Sequence, residues 1–245
     1  MSPNDDATRN SPGSFPKTRW SMVWSAQDDD PEALAGLCKA YWFPLYCYSR
    51  RICENREDAS DLTQGFFETL LTRKSLKSVT SERGKLRSFL LTALKHHAAS
   101  QYRRDTAGKR GGNVPVIKID ALDAEQRYRM EPSHDLSPEL EFDRAWARHL
   151  LDSVLQRLAH AYREAGKAEV FDALKDNLTG GGSESYESAA RALGLSPPAV
   201  RYAAFKLRER YRELLRETIA DTVTTREEAA EEMSHLRGIF SDRSS

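Results

Sequence analysis

Residues 186–212 read YESAARALGLSPPAVRYAAFKLRERYR. This pattern predicts a short helix, a tight turn at Gly194 and a second helix. Glycine suits the turn because it adopts positive φ at little cost. Ser196 is a good N-cap, and Pro197 fits the first helical position, where no backbone N–H is required. The second helix then carries apolar residues at the spacing of a single helix face.

The second helix also carries basic residues, mostly on its other faces: Arg201, Lys206, Arg208, Arg210 and Arg212. A helix, a turn and a second, basic helix form the layout by which many proteins read the major groove of DNA. An αα-hairpin in an ordinary bundle has the same length and apolar spacing, so that alternative stays open. The combination of cap, turn and charge favours DNA.

The composition, together with the lack of a recognisable targeting segment, favours a cytoplasmic protein with modest hydrophobic cores. The chain has 245 residues, of which 39% are hydrophobic and 30% charged, enough for one large or two small domains. We find neither an apolar run long enough to span a membrane nor the apolar segment of a signal peptide in residues 1–16. The three cysteines form no Cys-x-x-Cys pair, so no zinc site or disulfide framework is indicated.

The formal net charge of zero conceals alternating blocks of charge. Residues 83–112 hold eight lysines and arginines against one acid, and residues 201–216 hold six against two. By contrast, residues 120–143 hold eight acids against two bases, and residues 217–232 hold six against one. Two basic modules separated and followed by acidic segments indicate two contacts with nucleic acid, although charge runs are also typical of solvated surfaces.

Apolar periodicity predicts an all-α fold of two small helical domains joined by a flexible acidic linker. The first domain carries helices within residues 34–48, 58–71 and 85–104, and no alternating pattern long enough for a sheet occurs. We predict a disordered tail at 1–17, a first helical domain at 18–105 and a linker at 106–142. A helix-turn-helix domain at 143–222 and an acidic extension at 223–245 follow.

Three further stretches accompany the helix-turn-helix: EDASDLTQGFFETLL at 57–71, RSFLLTALK at 87–95 and QYRRD at 101–105. In this order and spacing, the four stretches resemble bacterial sigma factors of the sigma-70 superfamily, in the extracytoplasmic-function group. The resemblance covers about residues 30–105 and 145–217. It implies a non-enzymatic promoter-specificity subunit that binds core RNA polymerase, recognises the −35 and −10 promoter elements and helps to melt the DNA.

The resemblance assigns polymerase contacts to the first domain. The family's Asp-Leu-x-Gln stretch docks on the β′ clamp, while the polymerase β flap is the second expected contact. A carboxylate and an amide that flank a leucine suit an interface with a polar rim and an apolar anchor. The residues expected to bind polymerase are Asp58, Asp61, Leu62, Gln64 and Phe67.

The resemblance makes the third helix the melting element. Positive charge holds the strand while other groups receive unstacked bases. The expected −10 contacts are Arg87, Lys95, His96, Tyr102, Arg103 and Arg104, with residues 73–84 forming a base pocket. Leu91 and His96 stand where family members often carry an aromatic residue and an asparagine, which leaves the −10 base identity open.

The resemblance assigns the −35 element to the helix-turn-helix. Arginine bidentate to guanine discriminates by about 1–3 kcal/mol. We expect base or nearby backbone contacts from Arg201, Tyr202 and Lys206. Ser196, Arg208 and Arg210 are expected nearer to phosphates.

Regulation and competing functions stay open at this point. The acidic extension is hypothesised to dock on a basic surface and restrain DNA binding, and phosphorylation of Thr63 is a second hypothesis. An anti-sigma factor or a protein kinase is therefore a further partner class, without membrane insertion. No cofactor is implied. The alternative function is a stand-alone helix-turn-helix regulator, whereas an enzyme lacks support, since we find no clustered metal ligands, phosphate loop or placed nucleophile.

Overall fold

A computed structural model describes residues 31–72, 85–106, 121–130, 136–179 and 183–241 of the chain. These residues form α-helices and one short 3-10 segment, with no strand among them, which confirms the predicted all-α class. None of these helices has the length and apolar character needed to cross a membrane. The helices are α1 Pro31–Ile52, α2 Arg56–Thr72, α3 Leu86–Thr106, α4 Ala121–Met130, α5 Pro138–Glu164, α6 Ala168–Leu174, α7 Ser183–Leu193, α8 Pro197–Ala220 and α9 Arg226–Ser241.

Side-chain caps fix the start of helices α2 and α5. At α2, Asn55 Oδ1 accepts from the Asp58 backbone N–H at 2.8 Å, and Asn55 Nδ2 donates to the Asp58 carboxylate at 2.9 Å. At α5, Ser137 Oγ accepts from Leu140 N at 3.2 Å, and Pro138 takes the first helical position. Helix α5 therefore begins before the predicted linker end, and Phe142 is a fully buried helical residue.

Helices α1, α2 and α3 pack around large apolar side chains. Trp42 of α1 stacks on Phe67 of α2, with ring centroids 5.5 Å apart. Helices α2 and α3 come close at Gly65, where an added Cβ would lie 3.3 Å from Gln101 Nε2. Helix α1 is continuous through Pro44.

Helix α5 packs against α1 on one part of its surface and against α8 on another. Buried residues from these three helices belong to one hydrophobic cluster, which also includes Leu236 and Ile239 of α9. Helices α1 and α5, which fall in different predicted domains, are thus in direct contact.

Helix α4 lies within the segment that the sequence predicted to be a flexible linker. Its Glu125 is buried and accepts hydrogen bonds from Tyr46 Oη at 2.6 Å and Arg50 Nε at 3.0 Å. Arg127 lies over the ring of Phe43, 4.4 Å from its centroid. These contacts tie α4 to α1.

Candidate nucleic-acid interface

The helix-turn-helix forms at the predicted residues. Gly194 ends α7 with φ of 62°, and Leu195 N donates to Ala190 O at 3.1 Å across the turn. Ser196 has extended backbone angles, and its side chain accepts from Ala199 N at 3.4 Å. Local sequence chemistry therefore fixes the angle at which α8 leaves the turn.

One face of α8 is anchored in the core, through Val200, Ala204, Leu207 and Leu214. The opposite face starts with Arg201 and Tyr202, the latter 65% exposed. All three residues predicted to make base or nearby backbone contacts, Arg201, Tyr202 and Lys206, are therefore exposed together on the first turns of α8. This is the part of a recognition helix that meets base edges.

Phe205 is an exposed residue of this face that our sequence analysis did not select. It lies one helical turn after Arg201, is 50% exposed, and has the Lys206 ammonium 5.8 Å from its ring centroid. Apolar side chains, including phenylalanine, contact the thymine methyl group in protein–DNA complexes. An aromatic residue at i+4 from an arginine was the available signal, but helical periodicity alone does not separate it from a core residue.

The basic side chains of α8 differ in how strongly the protein already binds them. Lys206 pairs with Glu209 at 2.7 Å, which raises the pKa of its ammonium. Arg210 pairs with Glu213 at 3.0 Å and Glu217 at 3.6 Å. Arg201 has no ion pair within the described part of the chain, so among the three predicted base-contacting residues it is the cation available to a new anionic partner.

Arg208 and Ser196, both expected near phosphates, lie in different surroundings. Arg208 is half-buried and donates to Tyr186 Oη at 2.9 Å, which ties α8 to α7. Ser196 is exposed, although its hydroxyl oxygen serves as the helix cap.

A second surface lies between α2 and α3, in a groove of about 800 Å³. Asp58, Asp61 and Leu62 line one wall, while Tyr102 and Arg103 line the other. Tyr102 is 76% exposed, so its ring faces solvent at the groove edge. The groove brings residues predicted to bind polymerase together with two residues predicted to bind the melted strand. Gln64 is outside this lining and donates to Glu68 at 3.1 Å.

Two residues predicted to contact partners are instead engaged mainly within the fold. Phe67 is 0% exposed and packs against Trp42, so it supports the α1–α2 contact and offers no surface to polymerase. Arg87 is enclosed between Asp143, Glu232 and the ring of Trp146. Burial by itself would lower the pKa of this guanidinium, but its hydrogen bonds to Glu232 and the nearby negative charges raise it. In this arrangement Arg87 links three helices, and its side chain is only 11% exposed, which leaves little surface for DNA.

The other expected residues of α3 have different positions. Lys95 pairs with Glu139 at 2.7 Å, which raises the pKa of the lysine and lowers that of the glutamate. His96 is exposed, whereas its neighbour His97 is buried. The side chain of Arg104 and the proposed base pocket at 73–84 lie outside the described residues.

Thr63, the hypothesised phosphorylation site, is fully buried. Its hydroxyl donates to Ala59 O at 2.7 Å and lies 2.9 Å from Ser49 Oγ. A kinase therefore reaches this hydroxyl only if α2 separates from α1.

Comparison of the chain with protein-family models, with curated proteins and with solved structures found no match. Within the residues that the structure describes, no three His, Cys, Asp or Glu side chains are grouped closely enough to hold a metal ion.

Proposed function

We propose that this chain is a promoter-specificity subunit of bacterial RNA polymerase. It binds the core enzyme through its first domain, recognises the −35 element through α8 and the −10 element through α3, and helps to melt the DNA. The main support is the helix-turn-helix, where the Gly194 turn and Ser196 cap leave Arg201, Tyr202 and Lys206 exposed on one surface. Such a subunit acts in the cytoplasm, where promoter DNA is transcribed.

The α2–α3 groove supports the polymerase part of the proposal. Asp61 is exposed and Leu62 half-buried at its wall, which gives a polar rim beside an apolar anchor. Tyr102 and Arg103 on the facing wall supply the aromatic group and positive charge that single-stranded DNA binding requires. Polymerase and the non-template strand would therefore meet the chain on adjoining surfaces.

Complex formation with core RNA polymerase tests the proposal directly. Wild type is expected to co-elute with the core enzyme, and Asp61→Ala/Gln64→Ala to lose this complex. Gln156→Ala/Glu164→Ala is the matched control, because it removes one exposed amide and one exposed carboxylate from α5. Failure of the wild type to bind, both intact and truncated after residue 224, would reject the sigma-subunit proposal.

A stand-alone helix-turn-helix regulator is the second candidate. The ion pairs of Arg87 with Asp143 and Glu232 favour it, because they engage one cation that was expected on the melting surface. Such regulators usually dimerise to match paired half-sites. A dimer that binds duplex DNA but not polymerase would support this candidate, whereas a monomer that binds polymerase would exclude it.

A further inference from the structure

An open groove of about 1060 Å³ lies between helices α8 and α9. It shares no lining residue with the α2–α3 groove. Its floor is apolar and includes side chains from both helices: Leu215, Ile219, Ala229, Met233 and Phe240. Phe240 is 39% exposed although it is one of the largest side chains there. Exposed apolar surface of this kind is typical of sites that bind a partner.

The groove is also strongly basic. Four of its lining residues are arginines and none is acidic: Arg212, Arg216, Arg226 and Arg237. All four are exposed, and none has an ion pair among the residues that the structure describes. Unpaired guanidiniums around an apolar floor suit a ligand with negative charges beside a hydrophobic stripe.

Charge is segregated on α9 itself. Glu231 pairs with Lys85, Glu232 pairs with Arg87, and Glu228 caps the helix. Arg226 and Arg237 instead line the groove. Three of the four acids of α9 are thus engaged within the fold, while the two arginines of the same helix remain available to a partner.

We propose that this groove binds an acidic amphipathic helix of a partner protein. The apolar floor decides against duplex DNA, because a phosphate backbone offers no hydrophobic stripe to bury there. Two helices that flank a groove are suited to a third helix whose apolar residues recur at i, i+3, i+4 and i+7. A helix of about 18 residues is about 27 Å long, which matches the 16 residues of α9. The groove has this chemistry whether or not the chain binds polymerase.

Fluorescence anisotropy with a labelled helical peptide tests the proposal. The probe is about 18 residues long, with leucines on one stripe and glutamates elsewhere, and the comparison peptides carry lysines instead or have scrambled order. The peptide with the leucine stripe and glutamates is expected to bind about tenfold more tightly than either comparison peptide. Charge reversal by Arg212→Glu/Arg216→Glu, and separately Met233→Glu, should each weaken binding about tenfold.

Arg163→Glu/Lys167→Glu is the matched control, since both residues are exposed and lie outside the groove. This variant should bind as the wild type does, and circular dichroism establishes that all variants fold. Equal binding of the acidic and lysine peptides, or unchanged binding by the Arg212 and Arg216 variant, would overturn the proposal. Displacement of the peptide by random-sequence duplex DNA would also overturn it. The same holds if the wild type is a dimer and the Arg212→Glu/Arg216→Glu variant is a monomer.

Discussion

Arg87 and Glu232 form a bidentate ion pair between α3 and α9, with Nε–Oε1 at 2.7 Å and Nη2–Oε2 at 3.0 Å. Asp143 of α5 contacts the same guanidinium at 2.6 Å and also lies 2.9 Å from His235 Nε2. The Trp146 ring lies against the guanidinium, with its centroid 5.0 Å away. Three helices that are far apart in the sequence therefore converge on one largely enclosed cation.

Glu232→Ala should destabilise the protein by about 3 kcal/mol, because it removes one partner of a buried ion pair and leaves Arg87 with Asp143 alone. Urea denaturation measures the free energy of unfolding. Glu231→Ala is the matched control: its carboxylate pairs with Lys85 at 2.9 Å but is 66% exposed, so its loss should cost below about 1 kcal/mol. Equal losses in the two variants would contradict a structural role for Glu232.

Helix α9, within the predicted acidic extension, packs against α8 and α5. The sequence hypothesis was that this extension docks on a basic surface and thereby restrains DNA binding. Truncation should remove α9 yet keep Thr222 and Val223, because Thr222 O accepts from Leu86 N at 3.1 Å and Val223 is buried. If α9 holds α3 and α5 together as a restraint, truncation after residue 224 should raise affinity for promoter duplex. Fluorescence anisotropy, corrected for the folded fraction, measures this affinity. An unchanged affinity would reject the restraint on DNA binding but not the packing of α9 on the chain.

Local signals predicted much of the fold. Helical periodicity indicated α1, α2 and α3, while Gly194 and Ser196 located the turn and cap because their effects act over a few residues. The partners of Arg87 and Glu125 gave no such local signal. Their partners include Glu232, 145 positions away, and Tyr46, 79 positions away. A charge on a helix gives the same local pattern whether it faces solvent or a distant ion partner.

Arg201→Ala should weaken binding to a selected promoter duplex by about 1–3 kcal/mol and relax specificity at one position. The reason is its exposure on the first turns of α8 without a competing ion pair in the described residues. Arg210→Ala should have a smaller effect, because Glu213 and Glu217 already engage that guanidinium. Anisotropy with the selected duplex and single-site variants separates the two. A larger loss for Arg210 would reverse this ranking of the contacts.

Two glycine substitutions should change stability in opposite directions. Gly194→Ala places a Cβ at φ of 62°, which should cost about 1–2 kcal/mol even though no atom lies within 4 Å. Gly238→Ala lies inside α9, also with open space around the new Cβ, and should stabilise the protein by about 0.5–1 kcal/mol. Urea unfolding of both variants is the measurement. A stabilising Gly194→Ala would mean that the turn is not left-handed in solution.

Helix α9 begins with a reciprocal cap whose strength should depend on pH. Glu228 N donates to Thr225 Oγ1 at 3.1 Å, and the Glu228 carboxylate accepts from the backbone N–H of Thr224 at 2.9 Å and of Thr225 at 3.2 Å. Burial would raise the pKa of this carboxyl, but those hydrogen bonds lower it below its ordinary value. Its contribution is therefore present above the unfolded pKa of about 4.3 and is lost as pH falls through the folded pKa.

Glu228→Gln isolates that contribution, because glutamine keeps an acceptor oxygen in the cap but carries no charge. Thermal unfolding of both proteins at pH 7 should show the wild type as the more stable. At about pH 3 the gap should narrow, since the carboxyl becomes protonated near and below its folded pKa. Exposed Glu227→Gln, in the same first turn, is the control for removing a charge from the helix start. A gap of equal size at both pH values would show that the charge on Glu228 contributes nothing to the cap.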